Sequence, residues 1–399
     1  MIPLEEARQY VLDRCPPVEP RRVALDDALG AVLSEPVVSG EAVPPFANTA
    51  MDGFALRAAD VVDAPCPLEI VGTVAAGDAP GVVVGPGQAA RIMTGAVIPE
   101  GADAVVMIER THATGSTVTV EVAVPSGNHI RPAGDDIQAG DTVFPAGTVV
   151  GPGHLGVLAS IGAYEVVGRP PQRVGVVSTG DELVDGPGPL EPGQIRDSNR
   201  RTLLALVRRM GAVPVDLGVA PDDEGAIKAV LRKGVADCDA VLTSGGVSMG
   251  DYDYVKAVLD QIGDMRWMQV AIRPAKPLAF GTVDGVPVFG LPGNPVSSMV
   301  SFELFARPGL LNRQGHPEPV RPTVPAVADE GLARTPDGKT HLVRVVAAMG
   351  GDGRYHVSSS GGQGSHMLSA MARADAFALV PDGDGVEAGG EVGVLLLSC

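Results

Sequence analysis

The chain has 399 residues, enough for two to four domains, of which 45% are hydrophobic and 20% charged. Its 30 Lys and Arg against 48 Asp and Glu give a net charge of −18, which argues against a basic face for nucleic acid. With 52 Gly and 35 Pro the chain stays below low-complexity disorder, so turn-rich β structure beside ordinary cores is expected.

The four cysteines, Cys15, Cys66, Cys238 and Cys399, share no metal-ligand spacing and read as isolated thiols. The first residues lack the segments of a signal peptide, and no apolar run approaches bilayer length. A soluble, cytoplasmic protein without nucleic-acid or membrane partners is expected.

Leu4, Ala7, Tyr10 and Val11 share one face of an N-terminal helix that Pro16 and Pro17 end. Residues 25–34 read as a second helix. Residues 43–144 change to short β-like runs separated by Gly, Pro and Asp turns, an inserted β-rich domain. Residues 1–42 and 145–171 then form a small discontinuous mixed domain, with a helix near residues 154–161.

From Gln172 the pattern becomes strand–helix alternation: strands at 173–178, 213–219, 239–243 and 286–290, helices near 199–210, 222–236, 254–262 and 296–305. Such alternation implies a parallel sheet covered on both faces, assigned to residues 172–319. Residues 320–399 lose the helical signal and carry five or so short strands, read as a small C-terminal β barrel.

Five stretches could carry chemistry. Strand 239–243 runs into Ser244-Gly245-Gly246-Val247-Ser248-Met249-Gly250, a glycine loop of the kind that binds phosphate at the carboxyl end of a parallel strand. Asp251 and Asp253 follow at a helix start. Ser178-Thr179-Gly180-Asp181-Glu182 ends the first strand of the alternation, where paired carboxylates can hold a hard cation. Arg273 and Lys276 sit on a proline-stiffened segment suited to an oxyanion, and Pro292-Gly293-Asn294-Pro295 forms a rigid turn before a helix. Asp52 precedes a turn glycine, and Thr94-Gly95 can offer a hydroxyl and an N–H to an anion. Each alone is ordinary turn chemistry. Together they point to phosphate or oxyanion binding beside carboxylates for a divalent cation, which serves phosphoanhydride cleavage or nucleotidyl transfer.

The motifs Asn48-Thr49-Ala50-Met51-Asp52-Gly53-Phe54, Arg91-Ile92-Met93-Thr94-Gly95-Ala96, Gly134-Asp135-Asp136-Ile137, Ser178 to Leu183, Ser244 to Tyr254 and Gly290 to Ser297 occur in order over nearly the whole chain. In this the sequence resembles the molybdopterin molybdenumtransferases, which include bacterial MoeA and the E domain of gephyrin. The resemblance implies a multidomain α/β plus β fold with a central MogA-like three-layer domain, in an elongated homodimer. It implies insertion of molybdenum from molybdate into adenylylated molybdopterin, with Mg²⁺-dependent release of AMP. It points to Asp52, Thr94, Asp136, Glu182, Asp222 and Asp253 as catalytic positions, the last three as metal ligands. Ser178, Thr179, Gly180, Ser244, Gly245, Gly246, Ser248, Gly250, Arg273, Lys276, Pro292, Gly293, Asn294 and Pro295 would bind substrate or its phosphates. Transient contact with the molybdopterin adenylyltransferase and with molybdoenzymes is implied as well.

Arg273, Ala275 and Phe54 stand where relatives often have Lys, Gly and Tyr, which leaves a tungstate-handling paralogue as an alternative. A scaffold of the gephyrin type is another. The preceding adenylyltransferase fits less well, because of the extra β domains and the Ser244-Gly245-Gly246-Val247-Ser248 loop.

Overall fold

The computed structural model describes residues 1–79, 81–246 and 254–397. The chain divides into two compact units, one of Met1–Arg21, Gly30–Val32 and Arg169–Cys399, the other of Arg22–Leu29 and Leu33–Gly168.

The first unit is built on a six-stranded sheet in the spatial order Val213–Ala220, Arg173–Thr179, Ala240–Ser244, Val286–Leu291, Pro277–Val283, Asp264–Gln269. The first four strands pair in parallel, and the last two pairings are antiparallel. Side chains alternate across this sheet, so each strand feeds two cores. Val174, Val176, Leu242 and Phe289 pack with Leu203, Leu206 and Val207 of the helix Asn199–Arg209 on one face. Val177, Val241 and Val288 pack with Ile227 and Leu231 of Glu224–Asp237 and with Val258 and Leu259 of Tyr254–Ile262 on the other. Helices lie on both faces, as the uninterrupted apolar runs of the strands require.

The ends of these helices follow from sequence. Asp223 accepts a hydrogen bond from the Ala226 N–H at 2.8 Å and caps Glu224–Asp237. Arg208 and Arg209 favour the carboxyl end of Asn199–Arg209, and Gly211 at φ 90° ends it. The N-terminal helix Leu4–Arg14 buries Leu4, Ala7 and Val11 in the first of these cores.

Downstream, the helical run expected near residues 296–305 is longer and not uniform. Pro295–Ser301 and Arg307–Gln314 are α-helical, and Phe302–Ala306 between them is a π-helical turn. That turn carries Glu303, whose buried carboxylate takes Arg209 at 2.7 Å and Arg321 at 3.0 Å.

The C-terminal strands close into a barrel. Thr340–Met349 pairs with Tyr355–Ser359, that with Val324–Ala328, then Glu391–Leu396, then Ala376–Val380, which pairs back to Thr340–Met349. Ile272–Arg273 joins Thr340 and His341 in parallel outside the ring. A short helix, Leu368–Arg373, interrupts this β region where no helix was expected. At six residues it is too short for a periodic apolar signal to stand out.

The second unit holds a six-stranded sheet in the order Ala104–Met107, Gly53–Leu56, Gln88–Ile92, Cys66–Val74, Thr117–Val120, Thr111–Thr114. Only Cys66–Val74 and Gln88–Ile92 run parallel. Gly53 is required here, since a Cβ on it would lie 2.0 Å from the Val106 carbonyl oxygen. A second core gathers Val23, Ala28, Leu33, Leu158 and Val166 around the helix Pro152–Ser160. Residues 25–34 do not form the expected helix. Leu25–Asp27 is one 3₁₀ turn, Gly30 takes φ 78°, and Val32–Leu33 is a strand. Among the described residues no helix is long and apolar enough to cross a membrane.

Candidate active site

Parallel strands bring their carboxyl ends to one edge of the sheet, and register decides which residues meet there. Ser178 stands beside Ser244, and Ser244 beside Leu291. The strand order reverses between Arg173–Thr179 and Ala240–Ser244, the place where open α/β sheets take ligands. A cavity of about 180 Å³ opens at this edge, lined by Ser178, Thr179, Glu182, Ser244, Gly245, Gly293 and Pro295 among others.

Close backbone approach shapes it. Gly245 takes φ 101°, and a Cβ there would lie 3.0 Å from the Thr179 carbonyl oxygen. Gly180 takes φ 146°, and a Cβ there would meet Glu182 Oε2 at 2.3 Å. The Glu182 carboxylate therefore folds back over Gly180, where a side chain would displace it. The Asp222 N–H donates to Asp181 Oδ1 at 3.1 Å, which joins the acidic loop to the turn ahead of Glu224–Asp237. Asp181 thus serves the backbone of the segment that carries Asp222.

Of the residues expected at the site, the structure assembles Ser178, Thr179, Glu182, Ser244, Gly245, Gly293 and Pro295 around one cavity, with Gly180 beneath Glu182. Ser248, Gly250 and Asp253 lie outside the described residues. Among the described residues no three His, Cys, Asp or Glu side chains converge on a metal position, so Glu182 and Asp222 are not joined there by a third ligand. Gly246, Pro292 and Asn294 flank the cavity in sequence without lining it. Arg273 and Lys276 are exposed and do not line it either. Arg273 lies 3.9 Å from Asp337. Between them Ala275 is buried at φ 71°, a left-handed conformation that glycine adopts more readily.

In the second unit, Asp52 Oδ1 accepts both the Thr94 N–H and the Thr94 hydroxyl, each at 2.7 Å. The Thr94 hydroxyl and then its N–H hold the Asp52 carboxyl below the usual carboxylate range. Asp136 is exposed on a turn that hydrogen-bonds to Val43, and Ile130–Arg131 of the same segment pairs with Asn48–Thr49. The stretch ahead of Asp52 therefore fastens both acidic turns. Phe54 is 2% exposed, with the Arg91 guanidinium 5.3 Å from its ring centroid, so a hydroxyl in its place would need a buried partner.

Two cations escaped the sequence reading. Arg196 lines the cavity, and its guanidinium donates to the carbonyls of Gly186, Pro187 and Gly188. Among the described residues it has no carboxylate partner. Arg344 is fully buried in the barrel strand Thr340–Met349, and burial pulls its pKa down. Its Nη2 donates to the Gly362 carbonyl at 2.7 Å, while Nε and Nη1 have no partner. Its N–H donates to Gln363 Oε1, and the same loop offers the Ser365 carbonyl to the Val296 N–H. The Arg344 loop is so tied to the helix that follows Pro295.

Three sequence profiles cover the chain: the MoeA N-terminal region (domain I and II) over residues 2–162, the "Probable molybdopterin binding domain" over 175–312, and the MoeA C-terminal region (domain IV) over 327–397. The molybdopterin molybdenumtransferase of Haemophilus influenzae is 37% identical over 395 residues, 98% of this chain and 97% of that protein. The chain belongs to the molybdopterin molybdenumtransferase family. Molybdopterin molybdenumtransferase 2 of Mycobacterium tuberculosis is 39% identical over 95% of each chain. The MoeA structure from Pyrococcus horikoshii superposes with a TM-score of 0.77 at 30% identity, covering 100% of this chain and 99% of that one. This is a family of transferases in molybdenum cofactor biosynthesis, and the MogA-like sheet and closed C-terminal barrel are the architecture expected of it.

Proposed function

We propose that this transferase inserts molybdenum from molybdate into adenylylated molybdopterin and releases AMP, acting as a cytoplasmic homodimer. The observation that supports this most is the cavity at the sheet edge, where Ser178, Ser244 and Gly245 offer small polar and backbone groups beside the Glu182 carboxylate. Such a surface suits a phosphoanhydride, because the Ser244 hydroxyl, which accepts from Asn199 and keeps its own proton to donate, stands beside a carboxylate available to a cation.

Glu182, which lines the cavity, is the carboxylate that would hold Mg²⁺, with water and substrate phosphate completing the shell. When bound, the ion would neutralise phosphate charge. The chain's own contribution is position: Gly180 and Gly245 let carboxylate and backbone approach closely. Arg344 is fully buried and does not line the cavity, so its unpaired Nε and Nη1 are structural and not a seat for molybdate. Arg273 and Lys276, being exposed, serve attraction of the anion rather than its final seat.

The test incubates the full chain with adenylylated molybdopterin, Mg²⁺ and molybdate, and follows AMP release and bound molybdenum together. Molybdate-dependent AMP release with retained molybdenum is expected. Adenylate that binds yet stays intact would refute the catalytic assignment, and release with tungstate alone would turn the reading to a tungsten enzyme.

A further inference from the structure

The start of the helix Asn199–Arg209 is held more firmly than a helix cap requires. Asp197 is 6% exposed. Its Oδ1 accepts the Ser178 hydroxyl at 2.9 Å and the Arg200 N–H at 3.1 Å, and its Oδ2 accepts Arg200 Nε at 2.8 Å. Arg200, 2% exposed, reaches on to Asp216 and Asp185. Burial alone would pull its pKa down, but hydrogen bonds to Asp197, Asp216 and Asp185 outweigh this and raise it. Removing one partner of such a buried network is strongly destabilising, so Asp197 and Arg200 form a stiff frame.

Asn199 sits inside that frame and points its amide across the cavity wall. Nδ2 donates to Ser244 Oγ at 2.8 Å and to the Gly293 carbonyl at 2.6 Å. A carbonyl can only accept, so the atom facing Gly293 must be the nitrogen. Both amide hydrogens are thereby committed to two different loops. One is the end of Ala240–Ser244, where the glycine loop begins; the other is the turn ahead of Pro295–Ser301. All three residues line the same cavity.

We propose that Asn199 is a positioning residue, a clamp that orients the Ser244 hydroxyl and the Gly293 carbonyl at the wall of the phosphate cavity. The proposal rests on the functional reading above for the identity of the ligand, and on geometry for the clamp. Neither loop needs Asn199 to fold, since each continues a strand of the sheet. The Gly245 N–H to Leu291 carbonyl bond at 3.1 Å already sets their separation; what Asn199 supplies is the aim of the Ser244 hydroxyl and the Gly293 carbonyl, to which a bound phosphate is sensitive.

The discriminating variant is Asn199→Asp in the full chain. It keeps size and shape, places a carboxylate at a helix start where the dipole favours it, and cannot donate to Gly293. Its melting temperature should match or exceed wild type. The KM for adenylylated molybdopterin should rise about tenfold or more, with kcat within about threefold, because the bond to the Gly293 carbonyl is lost and the Ser244 hydroxyl turns to donate to the new carboxylate. Asn199→Ala should do the same to KM. In a double-mutant cycle, adding Ser244→Ala to Asn199→Ala should cost less than the two single effects combined. An unchanged KM in a folded Asn199→Asp protein overturns the clamp. So does a fall in melting temperature that accounts for the loss of activity.

If the wild-type chain releases no AMP, the functional reading fails, and the clamp is then read from calorimetric binding of metal-free molybdopterin. A dissociation constant about tenfold weaker in Asn199→Asp upholds it. Equal affinity, or no binding by either protein, ends it.

Discussion

Gly180→Ala tests the reading of Glu182 without touching its carboxylate. The added Cβ would lie 2.3 Å from Oε2 and 2.8 Å from Cδ, where ordinary contact begins at 3.4 Å. Backbone on either side is fixed: Gly180 N–H donates to the Ala220 carbonyl and the Leu183 N–H to the Gly180 carbonyl, both at 3.2 Å. The carboxylate must therefore move by about 1 Å, a displacement that can cost roughly a hundredfold in rate, about 2.7 kcal/mol. The φ of 146° adds backbone strain of about 1–2 kcal/mol, which a thermal melt would register separately. The assay is AMP release under saturating adenylylated molybdopterin and molybdate, run on Gly180→Ala, Glu182→Ala and the double variant. If the glycine matters only through Glu182, the double variant performs like Glu182→Ala alone. A Gly180→Ala enzyme within about threefold of wild-type kcat would refute the argument, as would full additivity in the double variant.

Three further outcomes are expected. Arg344→Met should leave the melting temperature unchanged or higher, because a buried cation without a carboxylate costs stability; a fall of several degrees in a thermal melt would show that the bond to the Gly362 carbonyl outweighs that cost. Thr94→Val should free Asp52 of one of its two donors and raise its carboxyl toward the ordinary range, which NMR titration of Asp52 would show. His356 is held above the ordinary imidazole range first by Asp329 and then by Asp352, so its contribution to stability is present below about pH 6.5 and fades as pH rises through the raised folded pKa. Melting temperature should accordingly fall from pH 6 toward pH 8 in wild type, and a His356→Gln variant should lose part of that slope.

How much of this was legible in sequence depends on the kind of signal. Strands such as Arg173–Thr179 and Val286–Leu291 were visible because both faces are buried, which leaves continuous apolar runs. The glycine positions announced the cavity, since Gly180 and Gly245 each have a backbone or carboxylate too near for a Cβ. What sequence did not carry is the pairing of distant groups. Nothing in the order of residues says that Asn199 meets Gly293, or that Asp197 takes the Ser178 hydroxyl. Residues 25–34 misled because Leu25, Ala28, Leu29 and Leu33 have helical spacing, while Gly30 at φ 78° turns the chain instead. Arg344 was passed over because a charged residue in a strand reads as a solvent-facing one until the register is known. The expected roles of Ser248, Gly250 and Asp253 rest on the family resemblance, as these lie outside the described residues.

The closed ring of five C-terminal strands limits how this part of the molecule can be recognised. Strand addition needs a row of unpaired N–H and C=O groups along a sheet edge, and each strand of the ring already has a neighbour on both sides. An extended peptide finds no ring strand without neighbours on both sides, and the strand added outside the ring, Ile272–Arg273, reaches only Thr340 and His341. Any protein that docks on the barrel must read side chains and loop tips, so its specificity would be written in shape and charge rather than in backbone pairing.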